Sequence, residues 1–411
     1  LPTGLSLATA TGAITGTAPA VSADTTTTFS ITATDDENQT SASRSFSITV
    51  QNDAPSNHFN TVLYTGDATA RSITTVGFKP DLVWIKNRDA TYFHALFDSI
   101  RGANKVLSSN NTDSENQYGN WTQQLTSFNS NGFSLGNNSD SGNYVNISGD
   151  DYVSWNFKAG GAAVTNSVGT IDSQVSANNT LGFSVVKSTY TSTASYTVGH
   201  GLSERPQIVF NKNLDQSDAS YGQWWTWIEG VTGTNGDYIR LNATNGKNAF
   251  SDTFTTDTTI KYSTGFQVTG TNKSIISYAF TSKPGYSKVG SYTGTGASGN
   301  SVVTGFEPAF VMIKSTSSSN TAWNMWDNKR TPYDMLRANA SDAEFAGPGR
   351  IQFFANGFQL LDTDPSRNSS GGTYIYLAFV ADGSTATPSL ANSFNTEVWL
   401  GNASTRTINY G

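Results

Sequence analysis

The ionisable stock of this 411-residue chain is 31 Asp+Glu, 24 Lys+Arg, three histidines and no cysteine. Without cysteine there is no thiolate nucleophile, no disulfide and no thiolate-ligated metal. His58, His94 and His200 stand far apart, with no ligand-like spacing, so neither a histidine metal centre nor histidine-based catalysis is expected. A nucleophile elbow of the Gly-x-Ser-x-Gly kind is missing, and the nearest stretch, Gly294-Thr295-Gly296-Ala297-Ser298-Gly299-Asn300, reads as a turn. Carboxylates are numerous, but the buried-strand patterns keep no pair of the kind that cleaves glycosides. The chain therefore reads as non-enzymatic and without a cofactor, with a polysaccharide depolymerase as a subordinate alternative.

Binding chemistry has better candidates. Trp224, beside Tyr221 and Gln223, could stack on the apolar face of a pyranose while the amide fixes a hydroxyl. Trp225 and Trp227 share a parity that would turn them into a strand's buried face, and Trp121, Trp323 and Trp326 are further rings of interest. Asp98 and Arg101 recur at the same spacing as Asp327 and Arg330, while the stretch between has Glu229 and no matching arginine. Such a pair can grip a carboxylate or a sugar, but a loop brace is the reading adopted. Asp35, Asp36 and Glu37 form a weak Ca²⁺ candidate against an ordinary acidic turn, and Asp362-Thr363-Asp364 is weaker still.

The elements that carry these residues are strands. Charged residues are 13% and aromatic ones 12%, too few and too many for a disordered chain. Alternating runs such as Phe46-Ser47-Ile48-Thr49-Val50, bounded by Gly, Asn and Asp, recur without helical periodicity, so the class is all-β. The net charge of −7 without a basic run argues against nucleic acid, and no apolar stretch is long enough for membrane insertion.

Internal repeats set the organisation. Gly77-Phe78-Lys79-Pro80-Asp81-Leu82-Val83-Trp84-Ile85-Lys86-Asn87 returns as Gly305 to Ser315 and, more loosely, as Gly201 to Asn213. An Asn-Gly-Phe block at 131–133 returns at 356–358 and as Thr264-Gly265-Phe266, where glycine would supply positive φ in a hairpin. A closing strand, Tyr152-Val153-Ser154-Trp155-Asn156-Phe157, returns as 275–280 and 374–379. These blocks predict tandem β-sandwich, jelly-roll-like modules at 57–161, 164–285 and 286–383, and the start of a fourth at 392–411. Residues 1–51 hold too few strands for a whole Ig-like domain, so both ends are expected to be interrupted.

Leu1-Pro2-Thr3-Gly4-Leu5-Ser6-Leu7, Thr11-Gly12-Ala13-Ile14-Thr15-Gly16-Thr17 and the strand around Phe29 resemble the later part of a bacterial cadherin-like Ig repeat. The Gly77–Asn87 block, with Phe97-Asp98-Ser99-Ile100-Arg101-Gly102, Ser287-Lys288-Val289-Gly290-Ser291-Tyr292 and Gly371-Gly372-Thr373-Tyr374-Ile375-Tyr376, resembles repeats of tail-fibre and other virion proteins of marine tailed bacteriophages. That resemblance implies a virion location and a tail-fibre role, spacing and attaching to a host-surface ligand. The partners implied are other virion proteins, a host glycan or protein, and further copies of the chain in a homotrimer. A lectin-like adhesin is the alternative.

Overall fold

A computed structural model describes residues 1–18, 21, 25–34, 37–50, 57–117, 123–137, 144–232, 236–250, 253–264, 268–330, 333–347 and 349–380. The fold is all-β, built of several antiparallel sheets. The chain divides into two compact units, Leu1–Asn57 and His58–Gly411. The expected fourth repeat at 392–411, together with Trp121, Asp35 and Asp36, lies outside the described residues.

In the first unit Leu5–Leu7 pairs with Ile14–Gly16, and Thr25–Ile31 pairs with Arg44–Val50 over seven residues. The longer pair places Phe29 opposite Phe46, with ring centroids 6.1 Å apart. Gly4 and Gly16 lie back to back, so a Cβ on either would meet the other strand's backbone oxygen at 2.1 Å.

The second unit repeats one arrangement three times. In the first repeat the sheet order is Phe59–Thr65, Asp151–Phe157, Leu82–Asn87, Ala95–Asp98. In the third it is Ser287–Thr293, Thr373–Val380, Pro308–Ser315, Asn324–Asp327, Leu336–Arg337. The second repeat has the same centre, Phe183–Tyr190, Lys273–Phe280, Ile208–Asn213, Trp224–Ile228, with two further strands added at each end. Each closing strand thus lies between its repeat's opening strand and the proline-fed strand.

A smaller sheet accompanies each large one: Arg71–Ile73, Gly132–Leu135 and Leu125–Asn129 in the first repeat, Asn300–Val303, Gly357–Leu360 and Ile351–Phe354 in the third. The Asn-Gly glycines are needed here for space. A Cβ on Gly132 would lie 1.9 Å from the Ile73 oxygen, and one on Gly357 would lie 2.0 Å from that of Val302. In the second repeat the strand paired with Tyr196–Gly199 is Thr259–Tyr262, just ahead of the expected Thr264-Gly265-Phe266 block, whose residues 265–267 are not described.

The proline-fed strands are apolar at nearly every position because both faces are covered. Val83 and Ile85 join one cluster with Phe133 and Leu135 of the smaller sheet. Leu82 and Trp84 face the other way, into a core that also holds Phe183, Phe210 and Tyr278 of the second repeat and Phe310, Met312 and Leu377 of the third. The three repeats therefore share one core and are not beads in series. At its centre stand the equivalent residues of the three closing strands, Phe157, Phe280 and Phe379. Their centroids form a triangle with sides of 5.9, 5.3 and 5.9 Å, every pair edge to face.

Because each ring belongs to a different repeat, Phe280→Ala should cost roughly 3–5 kcal/mol and lower the melting of the whole second unit. Calorimetry of the full chain should show one transition for that unit moving as a block. Separate transitions for the three repeats would contradict a shared core.

Candidate functional site

Strand pairing gives the equivalences between repeats. Lys86 would face His94 across the sheet as Lys212 faces Trp224, and the third repeat places Trp323 opposite Lys314 in the same way. Each of these three rings is buried at a junction with a neighbouring repeat. Trp224 Nε1 donates to the Ser108 carbonyl of the first repeat at 2.8 Å, and Trp323 Nε1 to the Arg240 carbonyl of the second at 2.9 Å. His94 accepts at Nδ1 from Trp84 Nε1 (2.8 Å), which leaves Nε2–H to donate to the Arg337 carbonyl of the third at 3.0 Å. The contacts close a cycle: second repeat on first, third on second, first on third.

The receiving segment is the same each time: Asn110-Asn111-Thr112-Asp113, Asn242-Ala243-Thr244-Asn245, Asn339-Ala340-Ser341-Asp342. The leading asparagine's Oδ1 accepts from the backbone N–H of His94, Trp224 or Trp323 of its own repeat, at 3.0, 3.0 and 2.7 Å. Three residues past the Thr or Ser, the backbone N–H of Glu115, Lys247 or Glu344 donates to the neighbour's Leu214, Thr316 or Arg88 carbonyl, at 2.8, 2.9 and 2.7 Å. Two of the strand-end lysines also cross over: Lys212 Nζ donates to Thr112 O and Lys314 Nζ to Thr244 O. Burial pushes Lys212 and Lys314 down to about 7 and Lys86 to about 8. This asparagine-led tetrad was missed in the sequence, although its threefold recurrence was there to find.

Asp98–Arg101 and Asp327–Arg330 are fully buried ion pairs within this system. Asp98 accepts from the hydroxyl of Tyr278 in the second repeat at 2.8 Å, and Asp327 from Trp155 Nε1 in the first at 3.0 Å. Tyr278 and Trp155 occupy the same position of their closing strands, and in the third repeat that position is Leu377. By register the second repeat's counterpart of Asp98 is Ile228, since Ile208 faces Ile228 as Leu82 faces Asp98. The corresponding arginine position is Val231. The junction that lacks the donor thus lacks the ion pair as well. Glu229, one residue on, accepts instead from the backbone N–H of Phe254 (2.6 Å) and Gly236 (3.3 Å).

Trp224 is fully buried and stacked at 6.2 Å on Tyr278, which leaves no ring face for a sugar and corrects its reading as a surface contact. Its strand is covered on both faces, so the parity that inters Trp225 and Trp227 does not expose Trp224. Gln223 is 8% exposed, its amide engaged with Ala219 O and Asn242, while Tyr221 is half-buried. Trp323 and Trp326 are buried too. Glu37 is exposed, and no cluster of three metal-ligating side chains occurs among the described residues. Asp362 is engaged by Arg367.

Taken together, these features define an all-β chain whose Ig-like leading part precedes a three-repeat unit with a cyclic set of junctions. Residues 1–51 match the Putative Ig domain family, and residues 54–382 match the Domain of unknown function (DUF7483), so the chain belongs to the DUF7483 family. That match covers the three repeats together, as one domain. No curated protein and no solved structure matches the chain.

Arg330→Met strands the buried Asp327 and should cost about 3–5 kcal/mol in urea unfolding. Asp327→Ile with Arg330→Val, the residues that the second repeat carries, together with Trp155→Phe to remove the neighbour's donor, should recover much of that loss; a triple variant as unstable as the single would refute the equivalence. Burial, with the Lys86 charge beside it, holds His94 down at about 3, and burial holds His200 at about 4, against an ordinary 6.5. The unfolded chain therefore takes up these protons below pH 6.5 while the folded chain refuses them until about pH 4. Each histidine should remove about 1.4 kcal/mol of stability per pH unit across that window. His94→Gln should flatten the profile, and an unchanged slope would show that His94 does not titrate this way.

Proposed function

We propose that the chain is a non-enzymatic structural component of a bacteriophage virion, a tail-fibre segment that presents a rigid body near the host surface. On this reading each repeat is a jelly-roll-like β-sandwich, its partners are other virion proteins and a host-surface glycan or protein, and its location is the extracellular particle. The observation that carries the proposal is where the repeated polar residues go. The Asp–Arg pairs, Lys212, Lys314 and the ring N–H groups of Trp155, Trp224 and Trp323 each take part in a bond that joins one repeat to the next. The virion setting rests on the resemblance of the Gly77–Asn87 and Gly371–Tyr376 motifs to phage repeats.

A lectin-like adhesin is the second reading, favoured by the exposed adjacent rings of Tyr92 and Phe93. Homotrimerisation remains part of the proposal, although the unit's own threefold set of junctions is complete without it. Antibody raised against the second unit should label purified virions, and mass photometry of the chain should give the mass of a trimer. Unlabelled virions would sink the virion role, a monomer alone would sink the trimer, and new reducing ends released from host polysaccharide would sink the non-enzymatic reading.

A further inference from the structure

The three junction loops are equivalent, so a departure from their common pattern that leaves two aromatic rings partly exposed calls for an explanation. The two residues before the junction ring are Gly222 and Gln223 in the second repeat, Thr321 and Ala322 in the third, and Tyr92 and Phe93 in the first. In the second and third repeats the strand-end lysine ties this loop down, Lys212 Nζ donating to Gly222 O at 2.6 Å and Lys314 Nζ to Thr321 O. In the first repeat Lys86 Nζ goes instead to Asn87 O at 2.6 Å and Ala90 O at 3.3 Å. Here Tyr92 and Phe93 are 36% and 39% exposed, where the other repeats carry small or polar residues.

The rings are held in place. Tyr144, buried at 5% exposure, lies parallel to Tyr92 (centroids 6.3 Å, 13°) and edge to face with Phe93 (6.4 Å, 80°). A shallow depression beside Phe93 and Tyr144 is lined by Ser108, Asp113, Ser114 and Gln117. Asp113 accepts from Asn111 Nδ2 at 2.5 Å and Gln117 Oε1 from Ser114 Oγ at 2.5 Å, so these polar side chains are pre-oriented at the rim.

We propose that Tyr92 and Phe93, held by the buried Tyr144, with Gln117 and Asp113 at the rim, form a binding platform for neutral pyranosides. The C–H face of a pyranose lies on the exposed rings, and its hydroxyls bond to the amide and the carboxylate. The Asp113 carboxylate and the net charge of −7 select against sialylated, uronic or sulfated sugars. This deepens the host-attachment part of the proposed function by giving it a site and a ligand class.

The test uses the full chain on an array of neutral and acidic oligosaccharides, followed by saturation-transfer NMR with methyl glucopyranoside, methyl galactopyranoside and N,N′-diacetylchitobiose. Binding to neutral sugars is expected, weakened about tenfold or more by Tyr92→Ala and by Phe93→Ala with the melting of the second unit preserved. Should Phe93→Ala fail to fold, Tyr92→Ala and Gln117→Ala at the exposed rim decide the matter. No neutral sugar bound, binding to acidic sugars alone, or binding indifferent to these variants would each overturn the platform. Virions that carry the chain without sugar binding refute the platform alone; sugar binding by a chain absent from virions refutes the virion role alone.

Discussion

Three phenylalanines, one from the end of each closing strand, meet edge to face at the centre of the second unit, and the rest of its architecture follows from that meeting. Edge-to-face contact sets the electropositive rim of one ring against the electron-rich face of the next. Three rings can satisfy that preference cyclically only if three strands approach from three directions. Each large sheet must then turn one face inward to the shared core and the other to its own smaller sheet. This double covering is why Leu82–Asn87, Ile208–Asn213 and Pro308–Ser315 are buried at every position.

Around this apolar centre the polar residues act as fasteners. A buried ion pair is costly to leave incomplete, so a carboxylate, a guanidinium and a donor from the neighbouring repeat must be present together or absent together. Two junctions hold the full set and the third replaces all of it with Ile228, Val231 and Leu377. This all-or-none pattern is what desolvation energetics demands, and it explains why arginine is missing from the middle repeat.

Much of this was legible in the sequence because period-two burial and recurring motifs are local signals. The closing strands and the proline-fed strands follow from recurring motifs, and the parity of Trp225 and Trp227 from alternation. The shared core was not legible, because alternation says that a face is apolar and not what covers it. Trp224 illustrates the point: its parity turns it away from its own smaller sheet, which would mean solvent for an isolated module but means the common core here. Glu229 illustrates another. Nearness in sequence matched it to Asp98, whereas strand register assigns that position to Ile228. The tetrad led by Asn110, Asn242 and Asn339 consists of turn-forming residues, which carry no burial signal, and its role depends on partners in another repeat, with ring-to-carbonyl junction bonds spanning 83 to 243 residues of chain.

The ring of Phe59, in the first strand of the second unit, stacks on Phe379, in its last described strand, with centroids 4.9 Å apart. The first and last described strands of the unit thus meet at the shared core. Fraying at either strand would uncover the ring of the other, so the two loosen together or not at all. The last described strand thereby locks the first, which separate modules in series could not do.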